Sequence, residues 1–260
     1  MILLYVLLTS CELIEFHPYD IRKSSHEQDI NPSNIARIEA MDDNKDTIRF
    51  AYIGDTQRFY DETAAFVKEV NQHRDIDFVI HGGDITDFGL SKEYIWIHDI
   101  LKELRVPYVA LVGNHDMIGH GKEIYRNIYG EFNFSFKFRN TSFICLNTNG
   151  LEADDDIPIP DLGFMSGFIS DTADVERTIV VMHAPPFDTQ FDGEAVVQFR
   201  SIIENYNNLL FYLHAHVHHL TVNEYFKDGI KFYGCDDISG RNYMLFTIVG
   251  KSYTYRVVYF

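Results

Sequence analysis

The chain has 260 residues, 46% of them hydrophobic, which is enough to bury a sizeable core, and its ordinary Gly and Pro contents exclude a disordered or fibrous polypeptide. Its 22 basic residues against 39 acidic ones leave a formal charge of −17, which argues against nonspecific nucleic-acid binding but not against a phosphate substrate, since bound cations reverse the field locally. The cysteines Cys11, Cys145 and Cys235 form no Cys-x-x-Cys pair, so neither a thiolate zinc site nor a dithiol motif is indicated.

The apolar run from Ile2 to Leu8 is too short to span a bilayer and suits the core of a secretory signal. It ends in Leu8-Thr9-Ser10-Cys11, which resembles the lipobox of bacterial lipoproteins, although no Lys or Arg precedes the run. The resemblance implies removal of residues 1–10 and lipidation of Cys11. It also implies an exported protein held by a lipid anchor on the periplasmic or cell-surface side of a bacterial membrane. Residues 11–46 mix polar and charged side chains and read as a lipidated tether with one short helix around Ile35 to Met41. The folded domain is expected over residues 47–260.

Within that domain, Ile48 to Ile53 is a buried-strand pattern ending at Gly54-Asp55, followed by helical spacing from Asp61 to His73. Ile76 to Ile80 is a second strand, ending at Gly82-Gly83-Asp84. Ser91 is a plausible N-cap for a helix reaching Leu104. Val106 to Val112 is a third strand, ending at Gly113-Asn114-His115-Asp116. Asp55 and Asp84 are 29 residues apart and Asp84 and Asn114 are 30, each about one strand–helix–strand unit. Parallel strands place all three tips at their carboxyl ends, where such sheets bind ligands.

Further strands are expected at Phe134 to Phe138, Ser142 to Asn147 and Thr178 to Met182, the last ending at His183. The acidic stretch from Leu151 to Ala173 reads as a long surface loop, and Cys145 as a buried small hydrophobe. A helix near Glu194 to Tyr206 precedes the strand from Leu209 to Leu213. Antiparallel strands then fill the chain from Thr221 to Phe260.

The tips gather Asp55, Asp84, Asn114, His183, His216 and His218. Mixed carboxylate, amide and imidazole donors suit Mn, Fe or Zn ions better than Ca. The run His214-Ala215-His216-Val217-His218-His219 allows two His-x-His registers; 216/218 is preferred over 214/216 because small Ala215 precedes it. No Ser or Cys nucleophile is apparent.

The series Gly54-Asp55-Thr56-Gln57, Gly83-Asp84-Ile85-Thr86-Asp87, Gly113-Asn114-His115-Asp116, Met182-His183 and Ala215-His216-Val217-His218 resembles the calcineurin-like metallophosphoesterases, with five blocks in that family's order. The resemblance implies an α/β fold in which two mixed β-sheets pack face to face between helices, a four-layer αββα sandwich. It implies two divalent transition-metal ions, with Asp55, Asp84 and His218 on the first, Asn114, His183 and His216 on the second, and Asp84 bridging. It further implies that His115 protonates the leaving oxygen of a small-molecule phosphomonoester or phosphodiester, that Asp116 orients the His115 ring, and that metal-activated water attacks.

Three positions depart from the family pattern. Gln57 stands where a ligating His is usual, offering at best a weaker amide oxygen. Ala215 replaces the Gly common before the His pair. Phe88-Gly89 follows Asp87 where many members carry an Arg for phosphate, so the phosphate contacts here come from elsewhere. A binding lipoprotein without turnover is the alternative that Gln57 suggests.

Overall fold

The computed structural model describes residues 28–41, 43, 45–153, 158–169 and 175–260. Cys11 and the apolar run before it lie outside the described residues. Eleven strands form two sheets among these residues. The first sheet is built from β1 (Thr47–Ile53), β2 (Phe78–His81), β3 (Tyr108–Ala110), β10 (Asn242–Val249) and β11 (Ser252–Tyr259), in the order β11-β10-β1-β2-β3. The second holds β4 (Phe134–Phe138), β5 (Thr141–Leu146), β6 (Arg177–Met182), β7 (Leu209–His214), β8 (Thr221–Asn223) and β9 (Phe232–Gly234), in the order β4-β5-β6-β7-β9-β8. Strands β1, β2 and β3 pair in parallel, as do β5, β6, β7 and β9, while β10, β11, β4 and β8 add antiparallel edges. Both sheets are therefore mixed.

Aromatic side chains on the facing surfaces close the two sheets together. Phe50 stacks on Phe78 and Phe246, Phe246 stacks on Phe211, and the Phe143 edge meets Phe50 and Phe78 at 5.6 and 5.4 Å between centroids. Such rings bury large apolar area and add an orientational preference. The alternate residues of the same strands face outward. Ala51, Ile53 and Val79 pack with Phe66 and Val70 of α2 (Tyr60–Val70) and Tyr94 and Ile97 of α3 (Ser91–Leu101). On the other side, Ile144, Val180 and Tyr212 pack with Val196, Phe199 and Ile203 of α6 (Glu194–Ile203). The expected helix–sheet–sheet–helix sandwich is what the chain forms. Cys145 and Cys235 are both buried and unpaired.

Register levels the functional loops. Ile53 pairs with His81 and His81 with Ala110, so the first three strands end side by side. In the second sheet Val181 pairs with Leu213, which brings His183 and Ala215 level.

The sequence reading needs three adjustments. Part of the stretch read as a tether packs on the domain, because α1 (Ile30–Ala40) docks with Ile30 and Ile38 buried. The Asn31 amide donates to Ala110 O at 2.8 Å and its carbonyl accepts from Ala110 N at 2.9 Å, while the Asn34 amide donates to Tyr108 O. These two polar side chains satisfy the open edge of β3, which has no strand beyond it among the described residues. Second, Ser91 is the first helical residue rather than the cap; the Glu93 carboxylate reaches back to the Phe88 and Leu90 N–H groups. Third, the acidic loop contains a short helix, α5 (Leu162–Ser166), whose Phe164 N–H is capped by the Asp161 carboxylate at 2.8 Å. Among the described residues no helix is long and apolar enough to cross a membrane.

Asn31→Ala would leave Ala110 N without its acceptor in a buried place. It is expected to lower stability by about 2 kcal/mol, read as a drop in the urea midpoint with an unchanged slope.

Candidate metal centre

Asp55 and Asp84 sit two and three residues beyond the carboxyl ends of the aligned strands, after glycines that the geometry demands. A Cβ on Gly54 would lie 2.7 Å from the Ala215 Cβ, and one on Gly113 would lie 2.1 Å from Asp84 N. The turns are tight as well as crowded. Asp55, Gln57, Asp84, His216 and His218 all have positive φ, between 33° and 70°. Non-glycine residues reach this region at a cost, and such outliers gather where function fixes the backbone. Backbone bonds hold them there: Asp55 N–H donates to Gly83 O, Gln57 N–H to Asp84 O, and His216 N–H to Asp55 Oδ2.

Seven of the expected side chains converge. Asp84, His183 and His216 offer ligand atoms that all lie within 4.8 Å of one another, and so do Asp55, Asp84 and His218. Asp84 belongs to both groups. Asn114 Oδ1 lies 3.1 Å from His183 Nε2 and 3.0 Å from His216 Nδ1, and these two nitrogens are 3.3 Å apart. Gln57 is buried too, but its Nε2 donates to Asp84 Oδ2 at 3.1 Å, so in this arrangement the amide holds the shared carboxylate. His214 is not in the cluster: it is buried, with Nε2 3.3 Å from Thr221 Oγ1, so the geometry selects the 216/218 register.

Each clustered histidine has an acceptor behind it. His183 Nδ1 faces Gly82 O at 2.9 Å, His216 Nε2 faces Asp188 Oδ1 at 3.2 Å, and His218 Nδ1 faces Asp237 Oδ2 at 3.7 Å. A proton on that nitrogen leaves the other, turned into the cluster, with a free lone pair. Asp188 and Asp237 escaped the sequence reading, because a loop aspartate carries no signal that it stands behind an imidazole. Asp237 is placed by tertiary structure, through the parallel bridge between its own backbone and Gly54.

The electrostatics favour a cation. Burial pushes the Asp84 carboxyl up, but the His183 charge and hydrogen bonds from His183 and His115 outweigh it and hold it down to about 2. Burial in turn lowers His183, yet Asp84, Asp55 and the Gly82 carbonyl raise it to about 9. A proton is thus held between buried carboxylates where a metal ion competes for the same lone pair. Asp55 is raised by burial, and its Oδ1 has no hydrogen-bond partner among the described residues although His218 Nε2 is 3.3 Å away. A fully buried, unpartnered carboxylate oxygen beside a bare imidazole nitrogen is costly unless something charged completes it. The donor set fits divalent transition ions.

His115 and Asp116 behave differently from expectation. His115 Nδ1 donates to Asp87 O at 2.8 Å, leaving Nε2 as the other nitrogen of a half-exposed ring. Asp116, expected to orient that ring, instead accepts from Ile85 N, Thr86 N, Thr86 Oγ1 and Gly113 N. Burial and the Asp84 charge raise its carboxyl to about 7 against those donors. Its task is to tie the Asp84 loop to the Asn114 loop, and the group beside His115 is Asp87. His81 is buried behind the centre; Gly83 N–H donates to its Nδ1, so Nε2 carries the proton toward Thr56 Oγ1. Burial lowers it to about 3.

A sandwich of two mixed sheets that gathers carboxylate, amide and imidazole groups at the ends of its parallel strands presents the donors of a metal centre. The calcineurin-like phosphoesterase family model matches residues 48–220, and the chain belongs to that family. A stretch of 108 residues is 30% identical to the uncharacterized protein YvnB of Bacillus subtilis (strain 168), covering 36% of this chain and 8% of that one. The chain therefore corresponds to a small part of that relative's length. Among solved structures, it resembles a purple acid phosphatase from yellow lupin (TM-score 0.65, 13% identity, 82% of this chain and 52% of that one). It also resembles GAP50, the anchor in the inner membrane complex of Plasmodium (0.63, 12%, 83% and 85%), and a dimetal phosphatase from Danio rerio (0.62, 12%, 82% and 98%). At these identities the likeness is one of fold.

Asp116→Asn would place an amide donor against N–H groups that now meet an acceptor. It is expected to cost about 3 kcal/mol, measured as a lower melting temperature in the metal-free protein as well as the metal-loaded one.

Proposed function

We propose that this protein hydrolyses small-molecule phosphomonoesters or phosphodiesters with a dinuclear centre of Mn, Fe or Zn ions. The observation that carries the reading is Asp84, a single carboxylate shared by two ligand groups, each of which draws on loops of both sheets. Asp55, Asp84 and His218 would hold one ion, and Asp84, Asn114, His183 and His216 the other. When bound, such ions clamp a phosphoryl group and acidify a water to supply the nucleophile.

The chain's own groups do the rest. Asp87 O fixes the His115 tautomer, so a protonated His115 gives its Nε2 proton to the departing ester oxygen. Gly82 O and Asp188 hold the His183 and His216 imidazoles in their ligating tautomers, and the Asp237 carboxylate, 3.7 Å from His218 Nδ1, favours a proton on that nitrogen electrostatically. Asp116 keeps the loops of Asp84 and Asn114 in register.

A second reading, a metal-binding protein without turnover, draws support from Gln57, whose amide nitrogen rather than oxygen meets Asp84. Hydrolysis of p-nitrophenyl phosphate and its bis ester, with Mn²⁺ added and with EDTA, separates the two. Metal-dependent turnover supports the hydrolase; its absence across a broad ester panel favours the binding protein. The acylated Cys11 and export to a membrane surface belong to the same proposal, and Cys11→Ser should abolish palmitate labelling of the expressed chain.

Asp84→Asn is expected to lower turnover about a thousandfold or more and to reduce bound metal, because the shared ligand loses its charge. Wild-type turnover in that variant would sink the assignment. His115→Ala should retain metal by elemental analysis while kcat falls about a hundredfold, most for esters with poor leaving groups. Loss of metal there would make His115 a ligand instead.

A further inference from the structure

We infer that Arg58 contacts the substrate, receiving the phosphoryl oxygens of a doubly charged monoester; the assignment rests on the phosphoesterase reading above. Arg58 follows Gln57, whose side chain is buried against Asp84, so it lies next in the chain to a residue that touches the centre. Its Nη2 donates to Asp87 Oδ1, with the Arg58 side chain 62% exposed and that of Asp87 only 9%. Asp87 is the residue whose carbonyl holds His115 Nδ1, and its Oδ1 lies 3.9 Å from that nitrogen. One acid thus links Arg58 to the ring proposed to protonate the leaving oxygen.

A guanidinium presents five N–H donors in a planar fork. Among the described residues those of Arg58 reach one acceptor, Asp87 Oδ1, and the rest of the fork faces outward. Anchoring one edge on a nearly buried carboxylate reduces the freedom lost when the other edge meets an anion. The other ion-paired arginines are committed elsewhere: Arg49 to Asp75, Arg139 to Asp43 and Asp77, Arg177 to Asp46, Arg200 to Glu204. None of those acids lies on the loops of the centre.

Charge supplies the selectivity. The loops around the centre carry Asp55, Asp84, Asp87, Asp116, Asp188 and Asp237, in a chain of net charge −17. A monoester near neutral pH brings two negative charges and a diester one. Bound ions would offset the ligating carboxylates and meet the oxygens turned into the centre, and a fork with free N–H groups on the rim is suited to meet the extra charge that only a monoester carries. Arg58 therefore favours monoesters over diesters.

The test compares wild type with Arg58→Gln and Arg58→Lys, loaded with Mn²⁺, on p-nitrophenyl phosphate and its bis ester. In Arg58→Gln the monoester KM should rise about tenfold or more, with inhibition by inorganic phosphate weakened in step. The diester KM should change by less than about threefold, and bound metal should be unchanged. Arg58→Lys should recover part of the loss, since it keeps the charge but not the fork. Equal changes for both esters, or none for either, would overturn the assignment. If the wild type hydrolyses neither these esters nor a broader ester panel, the phosphoesterase reading has failed, and calorimetry of inorganic phosphate on the metal-loaded proteins decides for Arg58. Weaker phosphate binding in Arg58→Gln supports the contact; equal binding in both proteins, or none in either, overturns it.

Discussion

Two sheets can share a set of metal ligands only if their strand ends come closer than ordinary side chains allow. Here Gly54 and Gly82 of the first sheet's loops face Ala215 of the second, and added Cβ atoms would sit 2.7 and 3.0 Å from the Ala215 Cβ. That approach lets His216 N–H bond Asp55 Oδ2 and His183 Nδ1 meet Gly82 O. Ala215, a departure from the family's usual glycine, is tolerated because the two residues opposite it lack side chains. The aromatic stack between Phe50, Phe246 and Phe211 fixes the sheet spacing from behind. Packing in the interior and geometry at the centre are therefore one constraint.

Buried charge is the second consequence. Asp55 and Asp84 are fully desolvated within reach of His183 and His218, and without a cation they depend on shared protons for neutrality. The left-handed turns that aim these groups would relax if nothing rewarded them. Backbone hydrogen bonds and the four donors on Asp116 hold the turns in place before any ligand arrives. A centre preorganised in this way loses little entropy when ions bind.

Around that centre the polar groups divide by position. Those turned inward can ligate, while those behind them, Gly82 O, Asp188 and Asp87 O, accept from the far nitrogens of His183, His216 and His115, and Asp237 lies 3.7 Å from that of His218. Arg58 stands further out, tied to the centre by Asp87 alone. On the proposed reading, holding ions, orienting rings and meeting substrate would fall to different side chains at increasing distance from Asp84.

The sequence by itself determined the parallel strands and the set of residues at their ends, while the two-sheet sandwich was legible through the family resemblance. Apolar runs ending in short polar tips at intervals near 30 residues allow little else than parallel strands with their functional groups at one end, and Asp55, Asp84, Asn114, His183, His216 and His218 all stand there. Tertiary structure alone decided the partners. Asn31 and Asn34 looked like tether residues because their role, closing the β3 edge, depends on a strand more than 70 residues away. Asp116 is adjacent to His115 in the chain, yet a 3₁₀ turn over His115–Met117 sends the two side chains in different directions, and Asp87 takes the place beside the ring. Asp188, Asp237 and Arg58 gain their meaning from loops brought together by folding. Strand ends are written in local patterning, whereas hydrogen-bond partners across loops depend on the distances that packing sets.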